Sequence, residues 1–93
     1  LTLAAASGHI EDAVRAIELG AEVDLDVNGY TPLMRAVNWG HVDTAAALIA
    51  EGADMFATDR FGRTALDWAR IARHDKAAQV LERAMENEIR YRR

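Results

Sequence analysis

Gly29-Tyr30-Thr31-Pro32-Leu33-Met34-Arg35-Ala36-Val37-Asn38-Trp39-Gly40-His41-Val42 is the stretch on which the fold turns. Thr31 suits a helix N-cap, where its hydroxyl accepts from an orphan backbone N–H two or three residues on. Pro32 follows at the first helical position, where a missing N–H removes nothing the helix uses. Leu33, Ala36 and Val37 then fall at i, i+3 and i+4, on one helical face. Gly40 stops this short helix, since glycine takes a positive φ without steric penalty. Val42, Ala45, Ala46, Leu48 and Ile49 build a second apolar helix, and Gly52 closes it in the same manner. The passage predicts a turn, a short helix and a second helix returning beside it.

Working outward, the same phrases recur at a nearly fixed period. Gly8-His9-Ile10 returns as Gly40-His41-Val42, and Gly20-Ala21-Glu22-Val23 as Gly52-Ala53-Asp54-Met55, both 32 positions on. Gly29-Tyr30-Thr31-Pro32-Leu33 returns 33 positions on as Gly62-Arg63-Thr64-Ala65-Leu66, and His41 lines up with His74 at that spacing. A period of this length with a Thr-Pro-Leu turn and a Gly-His step resembles the ankyrin repeat, and the resemblance covers nearly the whole chain. It implies an all-α solenoid of about three repeats, each a turn followed by two antiparallel helices. Residues 1–25 would form an incomplete first repeat, 26–58 a full one, and 59–93 a C-terminal capping repeat with an extended helix. Leu1 aligns with Leu33, so the first unit lacks its turn, and we expect further repeats or domains in the parent chain.

The third unit departs from the pattern. Arg73 stands where Gly8 and Gly40 stand before it, so its inner helix is expected to end differently. Ala65 replaces proline, and Asp67 the consensus histidine. After Asp75 no further Gly-Ala-Asp turn occurs; Ala77, Val80, Leu81, Ala84 and Met85 keep helical spacing with a polar opposite face, as a terminal cap requires.

Composition narrows the functional classes. The chain has no cysteine, which excludes disulfides and thiolate metal sites and suits an intracellular setting, cytoplasmic or nuclear. Residues 1–47 carry two arginines against seven acids, and the whole chain has a net charge of −4, so no nucleic-acid partner is expected. No apolar run approaches the roughly 18–20 residues of a membrane span, and no membrane partner is expected. Ser7, the only serine, has no base paired with it, and no phosphate-cradling glycine loop is present. The three histidines recur with the repeat, where they are expected to bond between neighbouring loops. No cofactor, metal or enzymatic activity is expected.

Binding chemistry concentrates at positions that vary between repeats. Turn tips and the open side of the inner helices line the concave face of this architecture. Val27 and Arg60, Asn28 and Phe61, and Tyr30 and Arg63 share three tip positions; Arg35 and Trp68 share one inner-helix position, and Asn38 with Trp39 aligns with Ile71 and Ala72. Four of the six aromatics, Tyr30, Trp39, Phe61 and Trp68, thus fall where nothing in the repeat demands a ring. Interface anchors are enriched in Trp, Tyr and Arg. We therefore expect a protein or peptide partner, with acidic groups for the arginines, on a surface of Val27, Asn28, Tyr30, Arg35, Asn38, Trp39, Arg60, Phe61, Arg63, Trp68 and Ile71. Two rival expectations are an architectural spacer assembling through the C-terminal helix, and an aromatic cage for a modified lysine, which needs the four rings to converge. The terminal Arg90-Tyr91-Arg92-Arg93 is expected to be a solvated helix end.

Overall fold

A computed structural model describes residues 1–91, the side chains of Thr2, Leu3 and Tyr91 aside; Arg92 and Arg93, part of the basic terminus, lie outside the described residues. Six helices follow in order: α1 (Thr2–Ser7), α2 (Ile10–Glu18), α3 (Pro32–Asn38), α4 (Val42–Ala50), α5 (Ala65–Ile71) and α6 (Asp75–Tyr91). The short helices α1, α3 and α5 stack side by side as an inner layer, and α2, α4 and α6 form an outer one. This is the expected all-α solenoid. No helix among the described residues is long and apolar enough to cross a membrane.

The starts of α3 and α5 follow from their caps. Thr31 Oγ1 accepts from Met34 N at 3.3 Å, with Pro32 opening the helix. Thr64 caps α5 without a proline, and Asp67 compensates: its carboxylate takes the Thr64 N–H while the Thr64 hydroxyl takes the Asp67 N–H. This reciprocal capping box gives the position left by the consensus histidine a structural role.

The inner helices end alike. Gly8 N and His9 N donate to Ala5 O and Ala4 O; Gly40 N and His41 N donate to Val37 O and Ala36 O. Arg73 N and His74 N repeat the arrangement on Arg70 O and Ala69 O, with Arg73 itself at φ 60°. The different ending expected at Arg73 is therefore not found: the arginine adopts the left-handed conformation that glycine holds in the other two units. The reason only the other two are glycine lies across the stack. A Cβ on Gly8 would come within 2.6 Å of the His41 ring, and one on Gly40 within 2.8 Å of the His74 ring. Those rings donate from Nε2 to Ala6 O at 3.0 Å and Asn38 O at 3.2 Å, joining each unit to the preceding one. Both histidines are thus engaged before Arg73, which bears only the backbone strain.

The core is built mainly of small residues. Ala5, Ala36, Ala45, Ala65, Ala69, Ala77 and Ala78 are buried between layers filled out by Leu33, Met34, Val37, Leu48, Met55 and Leu81. In α4 the expected stripe shifts: Ala46 is exposed, while Thr44 is buried beside Ala45 and Leu48. Below the helices, Asp24 Oδ1 accepts from Asp54 N at 2.8 Å, tying the loop after α2 to the loop after α4.

Two substitutions separate strain from contact. Arg73→Gly should raise stability by about 0.5–1 kcal/mol, the left-handed penalty relieved less the extra freedom glycine gives the unfolded chain. Gly40→Ala should lower it by at least about 1 kcal/mol, because strain and a collision with His74 add. Urea midpoints of the two variants test both signs.

Candidate protein-binding site

The two turn tips that border the concave side are built differently. In the second unit Val27 and Tyr30 exchange backbone bonds of 3.0 and 3.1 Å around Asn28 and Gly29, whose φ values of 57° and 87° are both positive. That is the two-residue hairpin turn that Asn-Gly favours. In the third unit Asp59 N donates to Arg63 O at 2.8 Å, leaving a three-residue loop, Arg60-Phe61-Gly62. The aligned residues Asn28 and Phe61 therefore stand in unlike turns: both are exposed, and Phe61 is 70% exposed.

Asp59 organises the third tip. Its side chain is almost fully buried. Oδ1 accepts from Phe61 N at 2.8 Å and Arg63 N at 2.9 Å; Oδ2 accepts from Arg63 Nε and Trp68 Nε1, each at 3.0 Å. Burial pushes its pKa up, but the Arg63 backbone N–H and guanidinium, the Phe61 N–H and the Trp68 indole outweigh it and hold the carboxyl below its ordinary value of 3.8. The Asp followed by backbone donors two and four residues on is an Asx-turn signature that the repeat alignment did not bring out.

A row of alternating cations and rings leads from that carboxylate. Arg63 lies 4.4 Å from the Trp68 ring centre, Trp68 meets Tyr30 edge-on at 5.6 Å, and Arg35 lies 4.7 Å from the Tyr30 ring centre. Tyr30 and Trp68 are half-buried and pack against the core. The expectation that all four rings lack an internal role thus fails for these two: the alanine-rich core leaves room beside the inner helices, and both rings take it. Of the four rings an aromatic cage needs, Tyr30 and Trp68 meet, and Phe61 joins them through Arg63, 4.9 Å from its ring centre, while Trp39 contacts none of them.

Tyr30, Met34, Arg35, Asn38 and Trp68 line a cleft of about 180 Å³. Arg35 Nη2 donates to Val27 O at 3.3 Å, and Arg60 Nη2 reaches back to Asn28 O at 3.2 Å, bracing one tip against the next. Arg63 is half-buried and paired with Asp59. Trp39, at the end of α3, is 62% exposed, and Ile71, at the end of α5, is 57% exposed; neither borders the cleft. The sequence-predicted residues thus divide into a half-buried group in and around the cleft and an exposed group of Asn28, Trp39, Arg60, Phe61 and Ile71.

The fold and its Gly-His joints define a class of stacked helical repeat. A family model described as "Ankyrin repeats (3 copies)" matches residues 1–91, and the chain belongs to the ankyrin-repeat family. Among its relatives is the human ARF GTPase-activating protein GIT1, 36% identical over 77 residues, which are 81% of this chain and 10% of that protein. The human ankyrin repeat and KH domain-containing protein 1 is 44% identical over 68 residues, 73% of this chain and 3% of that protein. Protein phosphatase 1 regulatory subunit 12A of Mus musculus is 36% identical over 70 residues, 74% and 7% respectively. The chain thus spans a tenth or less of the length of these three relatives. Ankyrin repeats are in general non-catalytic protein-interaction modules.

The Asp59 network yields a pH test. A carboxylate whose folded pKa is depressed stabilises fully above its unfolded value and loses that contribution as pH falls through the folded one. Asp59→Asn should therefore lower the urea midpoint by a constant amount above about pH 5, and the gap from wild type should close below 3.8. A gap that persists unchanged in acid would count against an ionised Asp59 as the hub.

Proposed function

We propose that this chain is a binding module that docks a partner protein, or an extended segment of one, along its concave face, with no catalytic role of its own. The observation that carries the reading is the exposure of Trp39 and Phe61, 62% and 70%, at positions the repeat leaves free. A large ring in water is a liability unless a partner covers it, and aromatic anchors with nearby arginines are what dominate binding energy at interfaces. Arg35, Arg60 and Ile71 complete the surface, while Val27, Asn28, Tyr30, Asn38, Arg63 and Trp68 shape and stiffen it. A preformed surface of this kind binds without first ordering itself, which lowers the entropy cost of association. Relatives named as a regulatory subunit of protein phosphatase 1 and as a GTPase-activating protein support a role in attaching a larger chain to its target. The cysteine-free composition supports an intracellular setting.

The test uses peptides selected on the whole 93-residue chain from a random displayed library. Trp39→Ala should weaken their binding by about thirtyfold, the scale of an interface hot spot, while changing folding stability by less than about 0.5 kcal/mol. Phe61→Ala should act in the same direction. Binding indifferent to both, or lost only in step with stability, would refute the concave face as the docking surface.

A further inference from the structure

Arg35 is half-buried, and among the described residues it alone carries a buried polar side-chain atom that the fold leaves unpartnered. Its Nε is shut off from water and has no acceptor, the only such side-chain atom among the described residues. Of five guanidinium donors, one is matched, Nη2 to Val27 O at 3.3 Å. No carboxylate of the described residues lies within ion-pair distance: the ion pairs among them are Arg63 with Asp59 and Arg70 with Glu82. Asp26 and Asp43, the acids flanking it in the chain, are both exposed and make no bond with Arg35. Asp59 has all four of its acceptor sites filled by Phe61, Arg63 and Trp68. A cation is thus held over the Tyr30 ring, lining a cleft that Trp68 also borders, with donors to spare.

We infer that the cleft of Tyr30, Met34, Arg35, Asn38 and Trp68 is a carboxylate-recognition site that takes one Asp or Glu side chain of the docked segment. The inference rests on the concave face being the docking surface and names what that surface selects. Charge complementarity chooses the occupant. Arg35 presents a planar fork suited to a carboxylate, and the Tyr30 and Trp68 rings that line the cleft shield the pair from water and strengthen it. The neighbouring Arg60 also lacks an acidic partner, making the same side of the tips cationic in a chain that is acidic as a whole. A cleft of about 180 Å³ matches one side chain: an engineered cavity of about 150 Å³ holds one benzene. Tyr30 and Trp68, braced by Arg63 and Asp59, hold the walls in place before the ligand arrives.

The displayed library again supplies the probe. Peptides selected on the wild-type chain should share an Asp or Glu at one register. Replacing that residue by Asn or Gln should weaken binding to the unaltered protein by about tenfold, a measurement that needs no protein variant. Arg35→Gln should weaken the acidic peptide about as much and leave the amide peptide unchanged, and Arg35→Lys, which keeps charge but loses the fork, should fall between. Peptides with no shared acid, sensitive to Trp39→Ala and indifferent to Arg35→Gln, would overturn the carboxylate site and leave the docking face standing. A selection yielding no peptide sensitive to Trp39, Phe61 or Arg35 would overturn both.

Discussion

Each histidine laid across the glycine of the preceding unit holds the stack in register. At Gly40 two demands meet: a φ of 75° that side chains rarely adopt, and a surface on which the His74 ring lies too close for any Cβ. The ring then donates to Asn38 O, one of the last carbonyls of α3, which has no partner within its own helix. One interaction thus ends a helix, satisfies an orphan acceptor and fixes the distance to the next unit. His41 does the same for Gly8 and Ala6 O. Since no unit of this size can bury its own apolar face, the spacing these joints impose decides whether the core closes at all.

That spacing explains the composition of the core. Ala36, Ala65, Ala69 and Ala77 are buried in one cluster, and side chains this small let neighbouring helices approach closely. Burying alanine yields little per residue, because transfer free energy follows apolar area. The larger residues at the layer edges contribute the rest, and two of the rings, Tyr30 and Trp68, are drawn into that task. The consequence for function is a division of labour among aromatics that look equivalent by position. Trp68 packs inward with its indole N–H anchored on Asp59. Trp39, at a helix end beside a glycine turn, stays in solvent.

Periodicity made the helices, their caps and the Gly-His joints readable before any coordinate, since each depends on residues close in the chain or at a constant offset. Thr31, Pro32 and Gly40 behave as their local chemistry requires. Two further features rest on equally local chemistry: the Asn28-Gly29 dipeptide selects its hairpin turn, and Thr64 with Asp67 three residues on forms the capping box. Arg73 shows the converse, a residue with poor local preference kept left-handed by the bonds of its helix end. The fate of Tyr30 and Trp68 was not readable, because it depends on a contact between units that no single repeat position encodes.

The charge pattern of the tips follows from one residue's difference in turn geometry. Asp26 and Asp59 occupy the same repeat position, as do Arg35 and Trp68. In the third unit the backbone bond closes on Asp59 itself, which turns its carboxylate beneath the loop, where Arg63 and the indole of Trp68 complete it. In the second unit the tighter turn closes on Val27, so Asp26 falls outside it and remains in solvent. Trp68 thereby gains an internal acceptor for its single donor, and Arg35, at the equivalent place with five donors, gains only a backbone carbonyl. The same scaffold pairs Arg63 of the third unit with a carboxylate and leaves Arg35 of the second without one. A groove made of nominally identical units acquires polarity along its length in this way, and an asymmetric surface can fix both the direction and the register of whatever lies on it.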